Sequence, residues 1–181
     1  TSAGILATDY YGTGTEVQIS NNTLYDNRVG VYVGYAEVDE TIADITNNTF
    51  SNHIVSNISV KPNIDADLDE IYANNTFDHC VVITDGTNIK PGTAFYTHIQ
   101  DAIDNSIAGD IVNISAGTFD EGVNINKKIT LNGVGNQEDP STNTILTYTP
   151  NSAIVSITAS GISEEDPLIL QNVRITPDGQ Y

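Results

Sequence analysis

Residues 17–33 read VQISNNTLYDNRVGVYV: a short apolar run, Asn-Asn-Thr, a Leu, a polar corner and a run rich in valine. The triplet at Asn21-Asn22-Thr23 returns at Asn47-Asn48-Thr49 and Asn74-Asn75-Thr76, intervals of 26 and 27 residues. Each copy follows a short apolar run (Val17 to Ile19, Ile42 to Ile45, Leu68 to Tyr72). Each precedes Leu or Phe, a polar corner and a β-branched run (Val29 to Val33, Ile54 to Val60, Val81 to Ile83). Self-similarity at a period of roughly 20–50 residues marks solenoids, propellers and arrays. The repeated runs here alternate like strands, so the expected fold is all-β, a parallel β-helix or β-solenoid.

Stacked coils bring equivalent residues to within about 4.8 Å, so Asn recurring in register can form hydrogen-bonded ladders. Asn also tolerates the left-handed backbone that tight corners demand. Both properties account for the triplet structurally.

Twenty-four acidic residues stand against six basic ones, a net charge of −18. Nucleic acid and anionic membranes need cationic surface, so neither is an expected partner. Membrane insertion is not expected either, because no apolar stretch approaches the ~18 residues that cross a bilayer. So acidic a surface suits an extracellular, cation-rich or halophilic setting, and equally serves plain solubility. Cys80, the single cysteine, opens the run Cys80-Val81-Val82-Ile83 and is expected to be buried. The chain begins at Thr1 without any Met, which leads us to expect a processed product or an excerpt whose signal peptide is already missing.

The rhythm breaks at Asp85-Gly86-Thr87-Asn88 and Lys90-Pro91-Gly92. Both are turn signals, and they divide the chain into residues 1–90 and 91–181. One helix is expected, Thr97 to Ser106. Thr97 and Gln100 fit a capping box, and Phe95, Ile99, Ala102 and Ile103 share a face. Strands then resume at 111–114, 123–125, 128–131, 144–146, 154–157, 168–170 and 173–175, with loops at 136–142 and 160–166.

Residues 95–135, FYTHIQDAIDNSIAGDIVNISAGTFDEGVNINKKITLNGVG, carry a resemblance. The elements Ile99-Gln100, Ala102-Ile103, Ala108-Gly109-Asp110, Ala116-Gly117-Thr118-Phe119, Glu121, Val123, Ile125, Lys127 or Lys128 and Leu131-Asn132-Gly133 are similar to the opening of right-handed parallel β-helices of the pectin-lyase-like superfamily. The resemblance implies that fold, with one short helix capping the first coil and blocking its edge. The order is then inverted. Residues 1–90 resemble later coils of a β-helix, and residues 91–181 a capping helix plus the opening coils of a second. Joined tail to head, LILQNVRITPDGQY and TSAGILATDYYGTGTEVQISNNTLYDN read as uninterrupted coil. A tandem repeat unit, a self-stacking subunit and an excerpt of a larger protein all fit that continuity.

Members of the superfamily include pectin methylesterases, polysaccharide lyases and glycoside hydrolases. The esterase motifs Gln-Asp-Thr-Leu and Gly-x-Val-Asp-Phe-Ile-Phe-Gly have no counterpart here. The six cations form no recognisable lyase cluster, and the paired acids stand in loop-like stretches rather than facing a cleft. No catalytic residue is therefore assigned, and the chain is not expected to be an enzyme. No cofactor is expected; Ca²⁺ is the single ion with a candidate site. Asp65-Ala66-Asp67-Leu68-Asp69-Glu70 resembles the front of an EF-hand loop, but Glu70 stands where Gly is required and Thr76 where a bidentate Glu is required. A looser Ca²⁺ site at Asp65, Asp67 and Asp69 and a solvated acidic corner both stay open. Glu164-Glu165-Asp166 is a weaker string. His53, His79 and His98 share no ligand spacing. Asn21, Asn47, Asn57, Asn74 and Asn113 open Asn-x-Ser/Thr sequons. Tyr10-Tyr11, Tyr32 and Tyr35 are candidates for a sugar-stacking platform.

These observations point to an extracellular or cell-surface structural protein: a repeat or subunit of a fibre, sheath or adhesin. Its expected partners are copies of itself, end to end. The expected interface joins Ile5, Val17 and Ile19 to Leu168, Leu170, Val173 and Ile175 of the next unit. The competing expectation is a carbohydrate-active module, either binding polysaccharide or cell-surface glycans or forming part of a lyase or hydrolase.

Overall fold

The computed structural model describes residues 2–10, 12, 14–148, 153–160, 163 and 167–177. The chain is a parallel β-solenoid of about six turns. It forms two compact units, residues 1–80 with 88–97, and residues 81–87 with 98–181.

The first unit begins with two coils of three strands: β1 (Ala3–Ala7), β2 (Glu16–Ser20), β3 (Thr23–Tyr25), then β4 (Val29–Val33), β5 (Ile42–Thr46), β6 (Thr49–Ser51). The third coil runs β7 (Ser56–Val60), α1 (Leu68–Ala73), β8 (Thr76–Phe77). Equivalent strands stack in parallel register, with Ile5 on Val31, Val31 on Ile58, Ile19 on Ile45 and Leu24 on Phe50. Alternate side chains of each strand therefore point into one apolar column, and Val31, Phe50 and Ile58 are fully buried.

The Asn-Asn-Thr triplet divides its labour. In the first two copies the first Asn takes the left-handed corner, with φ of 59° at Asn21 and 57° at Asn47, whereas Asn74 has φ of −98°. The second builds the ladder. Asn48 Oδ1 accepts from Asn22 N–H at 3.0 Å, and Asn75 Oδ1 accepts from Asn48 N–H at 2.9 Å. The ladder amides also donate into the coil below: Asn48 Nδ2 to Ile19 O and Asn75 Nδ2 to Ile45 O, both at 2.7 Å.

The third coil departs from the expected run of strands. Residues 68–72 form α1 instead, in line with β2 and β5 and packed on β5. Asp67 caps it by accepting Glu70 N–H at 2.9 Å, Asp69 and Glu70 fill its first turn, and Leu68 and Ile71 are its buried face. Among the described residues there are thus two short helices, not one. The run Val81 to Ile83 likewise does not continue the stack. It forms β9 (Val81–Thr84) of the second unit, and β10 (Ala94–Tyr96) returns to the first, antiparallel to β7. Phe95 of β10 enters a column of nearly parallel rings. Phe50 lies 5.3 Å from Phe77, Phe77 lies 5.8 Å from Phe95, and Tyr72 stacks on both Phe77 and Phe95. Such contacts each add about 0.5–1.5 kcal/mol beyond the area they bury.

In the second unit α2 (Ile99–Asn105) precedes coils β11 (Ile111–Ile114), β12 (Gly117–Asp120), β13 (Val123–Ile125) and β14 (Thr130–Asn132), β15 (Thr144–Thr147), β16 (Val155–Ile157). Strands β17 (Ile169–Gln171) and β18 (Val173–Ile175) open the next coil. Pairing runs β9-β11-β14-β17, β12-β15-β18 and β13-β16, parallel throughout except at β9. A second ladder climbs this unit: Asn113 donates to Thr84 Oγ1, Asn132 to Asn113 Oδ1 and Gln171 to Asn132 Oδ1, all within 3.1 Å. After β14 the coil turns so tightly that a Cβ on Gly133 would lie 2.2 Å from Asn172 O, which is why Leu-Asn needs Gly next.

Helix α2 is shorter than expected and lacks the capping box. Its N-cap is His98, whose side chain makes no capping bond. Glu121 takes that role from the first coil, accepting Ile99 N–H at 2.7 Å and Gln100 N–H at 3.1 Å. Lys127 closes the other end, donating to Ile103 O, Asp104 O and Ser106 O at 2.8–3.1 Å. An anion at the N-terminus and a cation at the C-terminus both complement the helix dipole. Gln100 accepts Asn124 N–H at 2.8 Å, tying the helix to β13. The motif residues of the 95–135 segment thus clamp a helix onto its coil.

Candidate functional site

Among the described residues two places present unsatisfied surface: the open coil edges and one outer sheet face of the first unit. Among the described residues β1, β2 and β3 each pair along one edge only, as do β16, β17 and β18. Their backbone N–H and C=O groups on the other edge have no strand partner. The columns show the same imbalance. Ile175 is 45% exposed where Leu146 beneath it is 0%, and Ile157 is 52% exposed where Ile125 is 0%. Ile5, Val17, Leu168, Leu170 and Val173 are half-buried, whereas Ile19 is buried. Beside β1 and β3 lies a concavity of about 340 Å³ lined by Ile5, Leu24 and Asn22, residues that would face a further coil. The structure thus sets Ile5, Val17 and Ile19 in the edge coil of one unit and Leu168, Leu170, Val173 and Ile175 in the edge coil of the other.

The outer face of β1, β4 and β7 carries Tyr32. Two adjoining grooves share it, one of about 470 Å³ bordered by Arg28 and Ser59, the other of about 130 Å³ bordered by Leu6, Tyr35 and Lys61. Tyr35 packs edge-on against Tyr10 at 5.1 Å. Asp39 fixes that corner. It is buried, and its carboxylate accepts from Thr8 and Thr41 hydroxyls and from Tyr35 N–H and Thr41 N–H. Burial alone would raise its pKa; these hydrogen bonds outweigh burial and hold it well below the usual carboxylate range. Arg28 and Lys61, two of the chain's six cations, make no side-chain hydrogen bond or ion pair among the described residues. Three of the four Tyr candidates thus share a region; Tyr11 lies outside the described residues.

The acidic string does not converge. Asp65 is exposed, Asp67 caps α1, and Asp69 reaches the other way to accept Ile89 N–H at 3.2 Å. Among the described residues no three His, Cys, Asp or Glu side chains are placed to hold a metal ion. Glu164, Glu165 and Asp166 lie outside the described residues. His79 and His98 sit beside Asp78 and Asp101. His53 is buried under Phe50 and accepts Asn27 N–H through Nδ1 at 3.2 Å, leaving Nε2 without a hydrogen-bond partner. Cys80 is buried, and burial pushes its thiol far above the ordinary range.

Sequence reasoning missed the cationic border of the Tyr face, because coil stacking brings Arg28 and Lys61 to the two grooves that share Tyr32. No protein-family model matches the chain, and neither a curated protein nor a solved structure matches it. No helix among the described residues is long and apolar enough to cross a membrane.

Proposed function

We propose that this chain is an extracellular structural solenoid, a repeat or subunit of a fibre, sheath or adhesin stalk that extends by pairing its open coil edges with those of another copy. It acts as a scaffold, without catalysis or a cofactor, and is a non-catalytic relative of the pectin-lyase-like β-helices. The observation that carries the reading is the contrast between columns fully buried inside each unit and half-exposed at β16 to β18 and at β1. Pairing across the edge satisfies the free backbone groups and buries the column ends in one step. Copies joined covalently in tandem would use the same edges.

Electron microscopy and sedimentation velocity test this across protein concentration, with Ca²⁺ and with chelator. Filaments of fixed axial repeat support the reading. A monomer at every concentration overturns self-stacking. If Ca²⁺ drives assembly and Asp65→Asn with Asp69→Asn removes that effect, the ion belongs at the acidic string.

The Tyr32 face favours a second reading, a carbohydrate-binding module. Stacking rings beside unpaired cations suit a sugar chain bearing carboxylates. Titration with neutral and uronate-bearing polysaccharides tests it, with Tyr32→Ala expected to abolish binding. Binding that Tyr32→Ala leaves intact would sink it.

A further inference from the structure

Five asparagines open Asn-x-Ser/Thr sequons, and the structure sorts them. Asn57 is fully buried and donates to His79 O at 2.7 Å. Asn113 is half-buried, with Nδ2 held by Thr84 and Oδ1 held by Asn132. Neither amide is available to an enzyme. Asn21, Asn47 and Asn74 are the opposite case. All three are exposed, as are their +2 hydroxyl residues Thr23, Thr49 and Thr76. Their side-chain amides make no hydrogen bond among the described residues, because the ladder is built by the following Asn of each triplet. The corner turns the first Asn outward while it pulls the second into the stack.

We propose that Asn21, Asn47 and Asn74 form a row of N-glycosylation acceptors along one corner of the first unit. The co-reactant is an oligosaccharide carried on a lipid phosphate. The amide Nδ2 forms a bond to the anomeric carbon, the bond from that carbon to phosphate oxygen breaks, and the Nδ2 proton passes to the transferase base. Coil spacing then limits occupancy. Neighbouring acceptors lie about 4.8 Å apart, less than a hydrated sugar needs, whereas Asn21 and Asn74 are about 10 Å apart. Sugar on Asn47 excludes both neighbours; without it, Asn21 and Asn74 are filled together. The glycans would stand off the corner that precedes the third strand of each coil, after β2, β5 and α1.

The inference rests on the extracellular part of the proposed function, and the two fail separately. Filaments without sugar sink only the modification, and sugar on a chain that never assembles sinks only self-stacking. The test is peptide mapping by mass spectrometry of the chain isolated from the cells that make it. Expected are glycopeptides at Asn21, Asn47 or Asn74, never all three on one chain, with Asn57 and Asn113 bare. Thr49→Val, which removes the middle sequon and keeps Asn47 in its corner, should raise the doubly modified Asn21 plus Asn74 form. Five bare asparagines, or sugar at Asn57 or Asn113, would overturn the proposal. Full triple occupancy would overturn the spacing argument.

Discussion

Replacing Asn48 with Ala tests what the triplet is for. Asn48 is 1% exposed. Its Oδ1 serves Asn22 N–H and Nδ2 at 3.0 Å, and its Nδ2 serves Ile19 O at 2.7 Å, Thr46 O at 3.1 Å and Asn75 Oδ1 at 3.0 Å. Truncation orphans Ile19 O, which is buried, and Asn22 N–H, which sits at the surface. A buried group left unpaired costs about 1–3 kcal/mol, so Asn48→Ala should lose about 2–4 kcal/mol. Asn48→Asp should lose more, since its second oxygen would face three acceptors without a proton. Asn47 is the control one residue away. Its amide is free, so Asn47→Ala should cost only about 1 kcal/mol for a left-handed alanine, and Asn47→Gly almost nothing. Urea denaturation followed by far-UV circular dichroism reads this as a midpoint shift at constant slope. If Asn48→Ala and Asn47→Ala shift the midpoint equally, water replaces the ladder and the corner alone explains the triplet.

Stability should also fall with pH below about 6.5 because of His53, whose pKa is lowered from 6.5 chiefly by burial, against the pull of the Asp78 and Asp26 charges. The unfolded chain then takes up the proton before the folded one does, and His53→Gln should flatten the urea midpoint between pH 7.5 and 5.5. Lys127→Met should cost about 1–3 kcal/mol by stripping three carbonyls at the end of α2 of their donor, read as lost amide-exchange protection in residues 99–106. Ile175→Lys, at a half-exposed column end, should leave the circular dichroism spectrum unchanged and abolish sedimenting assemblies. Assembly that survives the substitution would move the interface away from β18.

Much of the solenoid was legible because its rules are local. An Asn pair at a fixed period states both the corner and the ladder, and Val31 and Val33 on either side of Tyr32 state the inward face. One signal had two meanings. Asp65, Asp67 and Asp69 read as a candidate Ca²⁺ site or a solvated acidic corner, yet acids around an apolar pair three residues apart, Leu68 and Ile71, also mark a helix start, and α1 stands there. Strand β12 escaped notice because only Phe119 of its residues is buried. The return of β10 against β7, and the cap that Glu121 supplies from 22 residues beyond Ile99, leave no local trace. The Tyr32 groove was half legible: the tyrosines could be named, while their cationic neighbours needed the stack.

The two helices explain why some coil edges are finished and others are not. A helix satisfies its own backbone, so a helix laid against a coil ends strand pairing there without leaving free N–H or C=O groups. In the first unit α1 packs on β5 where a third strand would have paired. In the second unit α2 packs on β9, β11 and β13. Each unit therefore devotes a helix to one side of its stack. No such device covers β1, β2 and β3, or β16, β17 and β18, among the described residues. A fold that lays a helix against its coils twice within one chain, and leaves these strands parallel, unbulged and apolar along the column, retains the means to continue there.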